Sequence, residues 1–339
     1  MANHLITLTT HDAQTLTFNA QDSQDVISAA IECGITLPSL CRDGGCGACL
    51  AHCESGDYQL GNCNESMLPQ ELRQQRQVLL CRTYPRSALQ LNAPYDYAHI
   101  QFGGQVGKTA TITQLEKIAN RTLRLELTLT DEDKAVEFEA GQYVEIEIPQ
   151  TTIRRAYSLA NTTNWQGKLV FLIRLQPQGQ FSTFLSENAA IGQTLTVYAP
   201  NGTFEFHSQR FNPVIFVAGG TGLAPFLSML SKMAGWGENR PIHLFLGVND
   251  ETELFCLDEL AKLQSQLSDL NVTQCVWHPS ESWQGFRGTP ADALQKYLQE
   301  NSEDFDIYLC GPPQLVNTCI EIAKTHGILD AQIFSEKFG

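Results

Sequence analysis

Four of the eleven cysteines in this 339-residue chain are spaced for chemistry. Cys41, Cys46 and Cys49 form C-x₄-C-x₂-C, and Cys81 returns well downstream. This is the ligand spacing of a [2Fe–2S] cluster, in which four thiolates hold two irons and their bridging sulfides. Three ligands come from one tight loop, and Gly44, Gly45 and Gly47 let that loop take positive φ and bring N–H groups close to sulfur. A zinc site, with one close cysteine pair followed by a second, fits a triplet plus one remote cysteine poorly. A disulfide framework would require a secreted chain. Cys33, Cys53 and Cys63 fall outside the spacing and read as buried or incidental thiols. Arg42 and Arg82 each follow a ligand, either to tune an anionic cluster or to form ordinary surface ion pairs.

A second constellation is Arg155-Ala156-Tyr157-Ser158. Its Arg offers forked donors to a diphosphate, its Tyr a flat face, and its Ser a hydrogen bond to a flavin. Alone the pattern is one a plain strand could carry. It gains weight from its place after Gly141-Gln142-Tyr143-Val144 and before Gly179-Gln180-Phe181-Ser182-Thr183. The latter reads as a turn entering a helix, whose first amides would receive a phosphate.

The third is Gly219-Gly220-Thr221-Gly222-Leu223-Ala224-Pro225, between the apolar run Val214–Ala218 and a helix expected from about Phe226. A glycine turn from strand to helix is where a dinucleotide diphosphate lies, although this is not G-x-G-x-x-G and a purely structural turn competes. Asp306-Ile307-Tyr308-Leu309 leads into Cys310-Gly311-Pro312-Pro313, again at the carboxyl edge of a parallel sheet. Asn249-Asp250-Glu251-Thr252-Glu253 has carboxylates and no Arg to meet an adenosine 2′-phosphate, which favours NADH over NADPH.

These segments need scaffolds. Leu5–Thr9 and Gln14–Phe18 alternate as a hairpin about His11-Asp12, and Asp25–Glu32 has helical spacing with Ser23 or Asp22 as cap and Gly34 as stop. Leu50–Tyr58 reads as a short strand and turn, Pro69–Leu72 starts a brief helix that delivers Val78–Cys81, and a closing strand at Leu89–Leu91 ends a unit over residues 1–97. Thr109–Gln114, Thr122–Leu129 and Gln142–Ile148 predict a small antiparallel barrel over residues 98–209. Strands alternating with helices predict a parallel α/β sheet over residues 210–339.

Composition agrees with a globular chain: 42% apolar, 17% charged, net charge −15. Such acidity argues against nucleic acid and suits either simple solvation or docking on a basic partner, with Asp43, Glu54 and Asp57 as candidate contacts beside the cysteine loop. The first residues lack the pattern of a signal peptide, and no apolar run is long enough to span a bilayer. The expectation is a cytoplasmic protein, not membrane-bound, and a monomer on its own.

In motif and order the first unit resembles a β-grasp ferredoxin. The R-x-Y-S, G-Q-F-S-T, G-G-T-G-x-A-P and C-G-P segments resemble the flavin and nucleotide domains of the ferredoxin–NADP reductase superfamily. The ferredoxin–FAD–NAD order is that of reductases serving bacterial oxygenases. Leu79-Leu80-Cys81-Arg82-Thr83-Tyr84-Pro85, Gly247–Phe255 and Val276-Trp277-His278-Pro279-Ser280 further resemble the reductase components (component C) of soluble methane monooxygenases. The resemblance implies a multidomain α+β and α/β fold with a [2Fe–2S] cluster on Cys41, Cys46, Cys49 and Cys81. It implies that Arg155, Tyr157 and Ser158 contact FAD, with Gly179, Gln180 and Ser182 closing over its diphosphate. It places NADH on Gly219, Gly220, Thr221, Gly222 and Pro225. Cys310, Gly311 and Pro312 would sit by the nicotinamide, and Phe338 would cover the flavin; a buried thiol and a packing aromatic are the competing readings of Cys310 and Phe338. NADH surrenders two electrons together and a cluster takes one, so a flavin must stand between them. The implied acceptor is a di-iron hydroxylase acting on methane or a related small hydrocarbon; an aromatic-ring dioxygenase of the benzoate type is the alternative.

Overall fold

A computed structural model describes residues 2–104, 106–130, 137–151 and 153–338. The chain divides into two compact units, Met1–Val106 with Asn201–Thr203 and Lys337–Gly339, and Gly107–Pro200 with Phe204–Glu336.

The first unit is a β-grasp. Asn3–Thr9 and Thr15–Gln21 pair antiparallel as the expected hairpin, with Ile6 opposite Phe18 and Leu8 opposite Leu16. Alternation puts Ile6, Leu8, Leu16 and Phe18 inward, where all are buried. Leu89–Asn92 then runs parallel to the first strand and bridges it to Leu50–Ser55 and Gln77–Leu79. Helix Val26–Glu32 lays Val26, Ile27, Ala29 and Ala30 on this sheet, each large side chain contributing about 1.5–3 kcal/mol by burial. Its cap is Asp25 rather than Ser23 or Asp22: the Asp25 carboxylate accepts the Ser28 N–H at 3.0 Å. Asp25 has the extended backbone that a cap requires, and such a cap stabilises a helix by about 1 kcal/mol.

The second unit holds the barrel and the parallel sheet. The barrel strands run in the order Arg154–Ser158, Tyr143–Glu147, Thr194–Val197, Lys108–Ala119, Thr122–Leu129, Lys168–Arg174, each antiparallel to the next. The Ala160 N–H donates to the Val170 carbonyl at 2.8 Å and ties the two ends together. Ile112, Leu125, Leu127, Ile146 and Phe171 fill the interior.

The parallel sheet has the order Phe286–Arg287, Leu270–Val276, Ile242–Val248, Val214–Gly219, Asp306–Gly311, Ile333–Lys337. The chain starts at Val214–Gly219, winds outward to one side, then crosses to Asp306–Gly311 on the other. The crevice between those two strand ends is the topological switch point, where such sheets bind ligands. Helix Leu223–Trp236 starts three residues before the expected Phe226, because Pro225 falls in its first turn, where a missing N–H costs nothing. Arg124 bridges barrel and parallel sheet, pairing with Glu126 at 2.9 Å and with Glu259, while Lys168 holds Glu126 at 2.6 Å. Among the described residues no helix is long and apolar enough to cross a membrane.

Candidate functional site

The cysteine loop of the first unit is fixed by strand pairing. Leu50 stands opposite Leu79 in the antiparallel pair, so the residues just outside it, Cys49 and the turn Leu80–Arg82, are adjacent. The Leu80 N–H donates to the Cys49 carbonyl at 3.0 Å, and the sulfurs of Cys49 and Cys81 are 3.3 Å apart. Within the loop the Gly45 N–H points at Cys41 Sγ (3.2 Å), and the Cys41 and Ala48 N–H groups both point at Cys46 Sγ (3.5 Å each). Cys46, Cys49 and Cys81 are buried and Cys41 is half-buried.

This donor set fits a [2Fe–2S] cluster. The cysteines stand in two pairs, Cys41 with Cys46 and Cys49 with Cys81, as two irons sharing sulfides require. Contact with Cys46 draws the Cys41 thiol down to about 7. The partner of each pair, Cys46 and Cys49, is pushed up by its neighbour and by burial. Sulfurs crowded this way need cations to ionise together. Backbone N–H groups aimed at sulfur are the other requirement, and the loop supplies them. Of the remaining thiols in this unit, Cys53 is buried, Cys63 is half-buried and Cys33 is exposed. The Asp43 carboxylate accepts the Gly45 N–H at 3.0 Å and so braces the loop.

In the second unit Arg154–Ser158 lies along Tyr143–Glu147, which presents its side chains in alternation. Arg155 is exposed, with one guanidinium N–H on the Arg154 carbonyl at 2.8 Å. Its neighbour Arg154 is engaged instead in structure, over the Tyr198 ring at 3.4 Å and paired with Glu147 at 3.1 Å. Tyr157 packs on Phe181, ring centroids 5.0 Å apart. Gly179 caps the turn Gln180–Thr183, which continues as a π-turn through Phe184–Asn188. Gln180 is exposed, whereas Ser182 is buried with its Oγ accepting the Gln176 N–H at 2.9 Å, which folds the loop back on itself. This exposed cation beside a clamped ring and a tight polar turn fits a flavin nucleotide.

Ser158 leads to a residue the sequence did not single out. Its Oγ donates to Glu336 Oε2 at 3.0 Å, across 178 residues. Glu336 is buried, and burial pushes its carboxyl up to about 7 against the lowering effect of that hydrogen bond. Glu336 in turn helps push up the thiol of Cys310, chiefly raised by its own complete burial.

At the switch point the strand ends meet backbone to backbone. A Cβ added to Gly222 would stand 2.2 Å from the Cys310 carbonyl oxygen, and one on Gly311 would stand 3.0 Å from Gly219 N. Thr221 is half-buried, and Pro312 abuts Gly219. Gly220 has φ +55 and open space around it, with Arg174 Nη1 3.8 Å from where its Cβ would be. Arg174 ends the strand Lys168–Arg174 and is the second residue the sequence reading passed over. Neither it nor Glu336 carries a local signal, since each meets its neighbours only through the fold. Phe338, half-buried one residue beyond Ile333–Lys337, belongs to the first compact unit, so the second unit ends at Glu336.

An apposed glycine loop and strand end, a flavin-type strand and a paired-cysteine loop define an electron-transfer flavoprotein with a cluster. The family comparisons agree. Residues 9–86 match the 2Fe-2S iron-sulfur cluster binding domain, 109–206 the oxidoreductase FAD-binding domain and 216–321 the oxidoreductase NAD-binding domain. The chain is 35% identical to the anthranilate 1,2-dioxygenase electron transfer component of Acinetobacter baylyi, over 99% of this chain and 97% of that protein. It is 37% identical to methane monooxygenase component C of Methylosinus trichosporium, over 87% of this chain and 86% of that protein. Among solved structures, an Amycolatopsis cytochrome P450 reductase superposes with a TM-score of 0.77 at 25% identity, covering 98% of each chain. The chain belongs to the family of electron-transfer reductases of oxygenase systems that carry FAD and a 2Fe-2S cluster and bind NAD.

Proposed function

We propose that this chain is the reductase of a soluble methane-monooxygenase-type system, taking electrons from NADH and delivering them to a di-iron hydroxylase that acts on methane or a related alkane or alkene. The observation that carries the electron-transfer part of this reading is the meeting, in one compact unit, of the Gly222–Cys310 switch point with the buried Ser158–Glu336 pair. It supports a site where a dinucleotide and a flavin lie together. When bound, FAD takes two electrons from NADH at once and returns them singly, in the form that a one-electron cluster accepts.

The chain's own residues supply placement. The free donors of Arg155 and the turn Gly179–Ser182 suit the flavin diphosphate, and Tyr157, held against Phe181, gives a flat face of fixed tilt. Ser158 Oγ donates to Glu336 Oε2, and the Glu336 carboxyl, raised to about 7, can take up or release a proton of its own near neutral pH. Gly219, Gly220, Thr221 and Gly222, ahead of Pro225, present a loop to the dinucleotide phosphates, with the Arg174 guanidinium alongside. Cys310 and Gly311, with Pro312 beyond, form the opposite wall. Cys41, Cys46, Cys49 and Cys81 hold the cluster.

NADH is the expected donor. Asp250 is tied to Thr252 N at 3.0 Å, Glu251 to Ser280 N at 2.8 Å and Glu253 to Asn249 at 3.2 Å, so three negative charges are held at the end of the second strand. A 2′-phosphate there would be repelled. The di-iron acceptor draws support from Leu79–Pro85, Gly247–Phe255 and Val276–Ser280 and from the component C relative. The second reading, an aromatic-ring dioxygenase, draws support from the nearly full-length likeness to the anthranilate component. Purified protein reduced by NADH under anaerobic conditions and mixed with each type of oxygenase tests the choice. Hydroxylation by the di-iron component but not the benzoate-type dioxygenase is expected; the reverse overturns the assignment. Missing flavin or iron–sulfur absorption would overturn the scheme altogether.

A further inference from the structure

Arg82 directly follows Cys81 and closes the turn Leu80–Arg82. A surface cation would extend into solvent, but this side chain runs along the ligand loop. A Cβ built on Gly44 would stand 3.0 Å from Arg82 Cγ, and one on Gly61 would stand 3.6 Å from Arg82 Cδ. Both walls are tied down: the Gly61 N–H donates to the Arg82 carbonyl at 2.8 Å, and the Asn64 N–H donates to the Gly44 carbonyl at 3.1 Å. Arg82 Nε is shut off from solvent and has no hydrogen-bond partner among the described residues. A charged donor buried without an acceptor is costly, and native folds keep few of them. Here the unsatisfied N–H belongs to the residue that follows Cys81, and its side chain borders Gly44 in the Cys41–Cys49 loop. The Gly44 segment that this side chain borders lies between Cys41 and Cys46, so a cluster held there would offer the anionic acceptor that the N–H lacks.

We propose that Arg82 sets the reduction potential of the cluster, through its fixed charge and its buried Nε–H. The proposal rests on the assignment of Cys41, Cys46, Cys49 and Cys81 as cluster ligands. In the step concerned, one electron supplied from the flavin reduces one ferric ion to ferrous; no bond forms or breaks and no proton moves. The cluster with its thiolates gains one negative charge. A guanidinium held beside the loop therefore stabilises the reduced form more than the oxidised one, and a hydrogen bond to sulfur acts in the same direction. Arg82 is thus a positioning residue for the electron rather than a catalytic one. It biases the electron toward the cluster.

The test is a redox titration of the full-length holoprotein, followed by the EPR signal of the reduced cluster and by flavin absorbance in the same sample. Arg82→Met should lower the equilibrium constant for cluster reduction about tenfold, which is ~59 mV for one electron, and leave the flavin midpoint where it was. Arg82→Lys keeps the charge but loses the Nε–H and should recover part of the shift. A loaded Arg82→Met protein whose cluster equilibrium lies within about twofold of the parent would overturn the proposal. Should that variant load no cluster, Arg82→Gln decides in its place: a lowered potential supports the proposal and an unchanged one overturns it. Absence of iron–sulfur absorption in the parent protein would instead overturn the ligand assignment, so the two failures are told apart.

Discussion

Gly222 lies so close to the neighbouring strand that an added Cβ would stand 2.2 Å from the Cys310 carbonyl oxygen. Because that atom is backbone, the strand end itself would have to move. Gly222→Ala should destabilise the protein by about 1–3 kcal/mol, as overpacking does, and raise the KM for NADH; calorimetry and steady-state kinetics check the two effects separately. Glu336 offers a second test, in pH. Its carboxyl is raised to about 7 by burial from an ordinary 4.5. Below the unfolded value it is neutral in both states and costs nothing. As pH rises from about 4.5 to about 7 the folded state binds the proton more tightly than the unfolded one, so stability falls by roughly 3 kcal/mol across that window. Glu336→Gln removes this slope: its thermal midpoint should overtake the parent's above neutral pH, and parallel profiles would refute the burial argument. The residue itself was invisible beforehand. Its hydrogen-bond partner Ser158 is 178 positions away, and no local pattern couples residues so far apart.

At the scale of elements, strands and glycine turns were legible because they follow from side-chain period and from φ. The hairpin Asn3–Thr9 with Thr15–Gln21, the barrel strand Thr122–Leu129 and the strand–turn–helix at Val214–Trp236 lie where alternation and glycine put them. Boundaries were less legible, because several polar residues near a helix start can cap it and only the backbone decides: Asp25 is extended and accepts the Ser28 N–H, so it takes the role from Ser23 and Asp22. The loop after Ile242–Val248 shows both sides. Its acidity is plain in the sequence, but the structure adds that Asp250 caps the turn Glu251–Glu253. Asp250→Arg should therefore shift the NADPH-to-NADH ratio of kcat/KM upward by roughly tenfold while losing about 1 kcal/mol of cap. Kinetics with both nucleotides and urea unfolding measure the two; no change in preference would remove the loop from the specificity argument. The bridge from Arg124 to Glu126 and Glu259 was likewise beyond sequence, since it joins a barrel strand to a helix of the parallel sheet.

At the scale of the molecule, the three kinds of site occupy separable stretches of chain. The cysteine loop lies in the first compact unit, while the R-x-Y-S strand and the glycine turn share the second. Cys46→Ser should accordingly abolish iron–sulfur absorption and delivery to an oxygenase, yet leave NADH-driven reduction of FAD and of an artificial two-electron acceptor near the parent rate. Loss of both activities would mean that the units are not independent. The acceptor is the least legible part, because cofactor motifs answer to the cofactor, and reductases of quite different oxygenases need the same ones. The cysteines outside the cluster have a further use. Cys310 and Cys319 are buried and their thiols raised, as is the buried Cys275, whereas Cys33 alone among the eleven is exposed. A maleimide dye offered to the loaded native protein should therefore attach chiefly at Cys33, giving a single fluorescent reporter on the ferredoxin unit without any engineered cysteine.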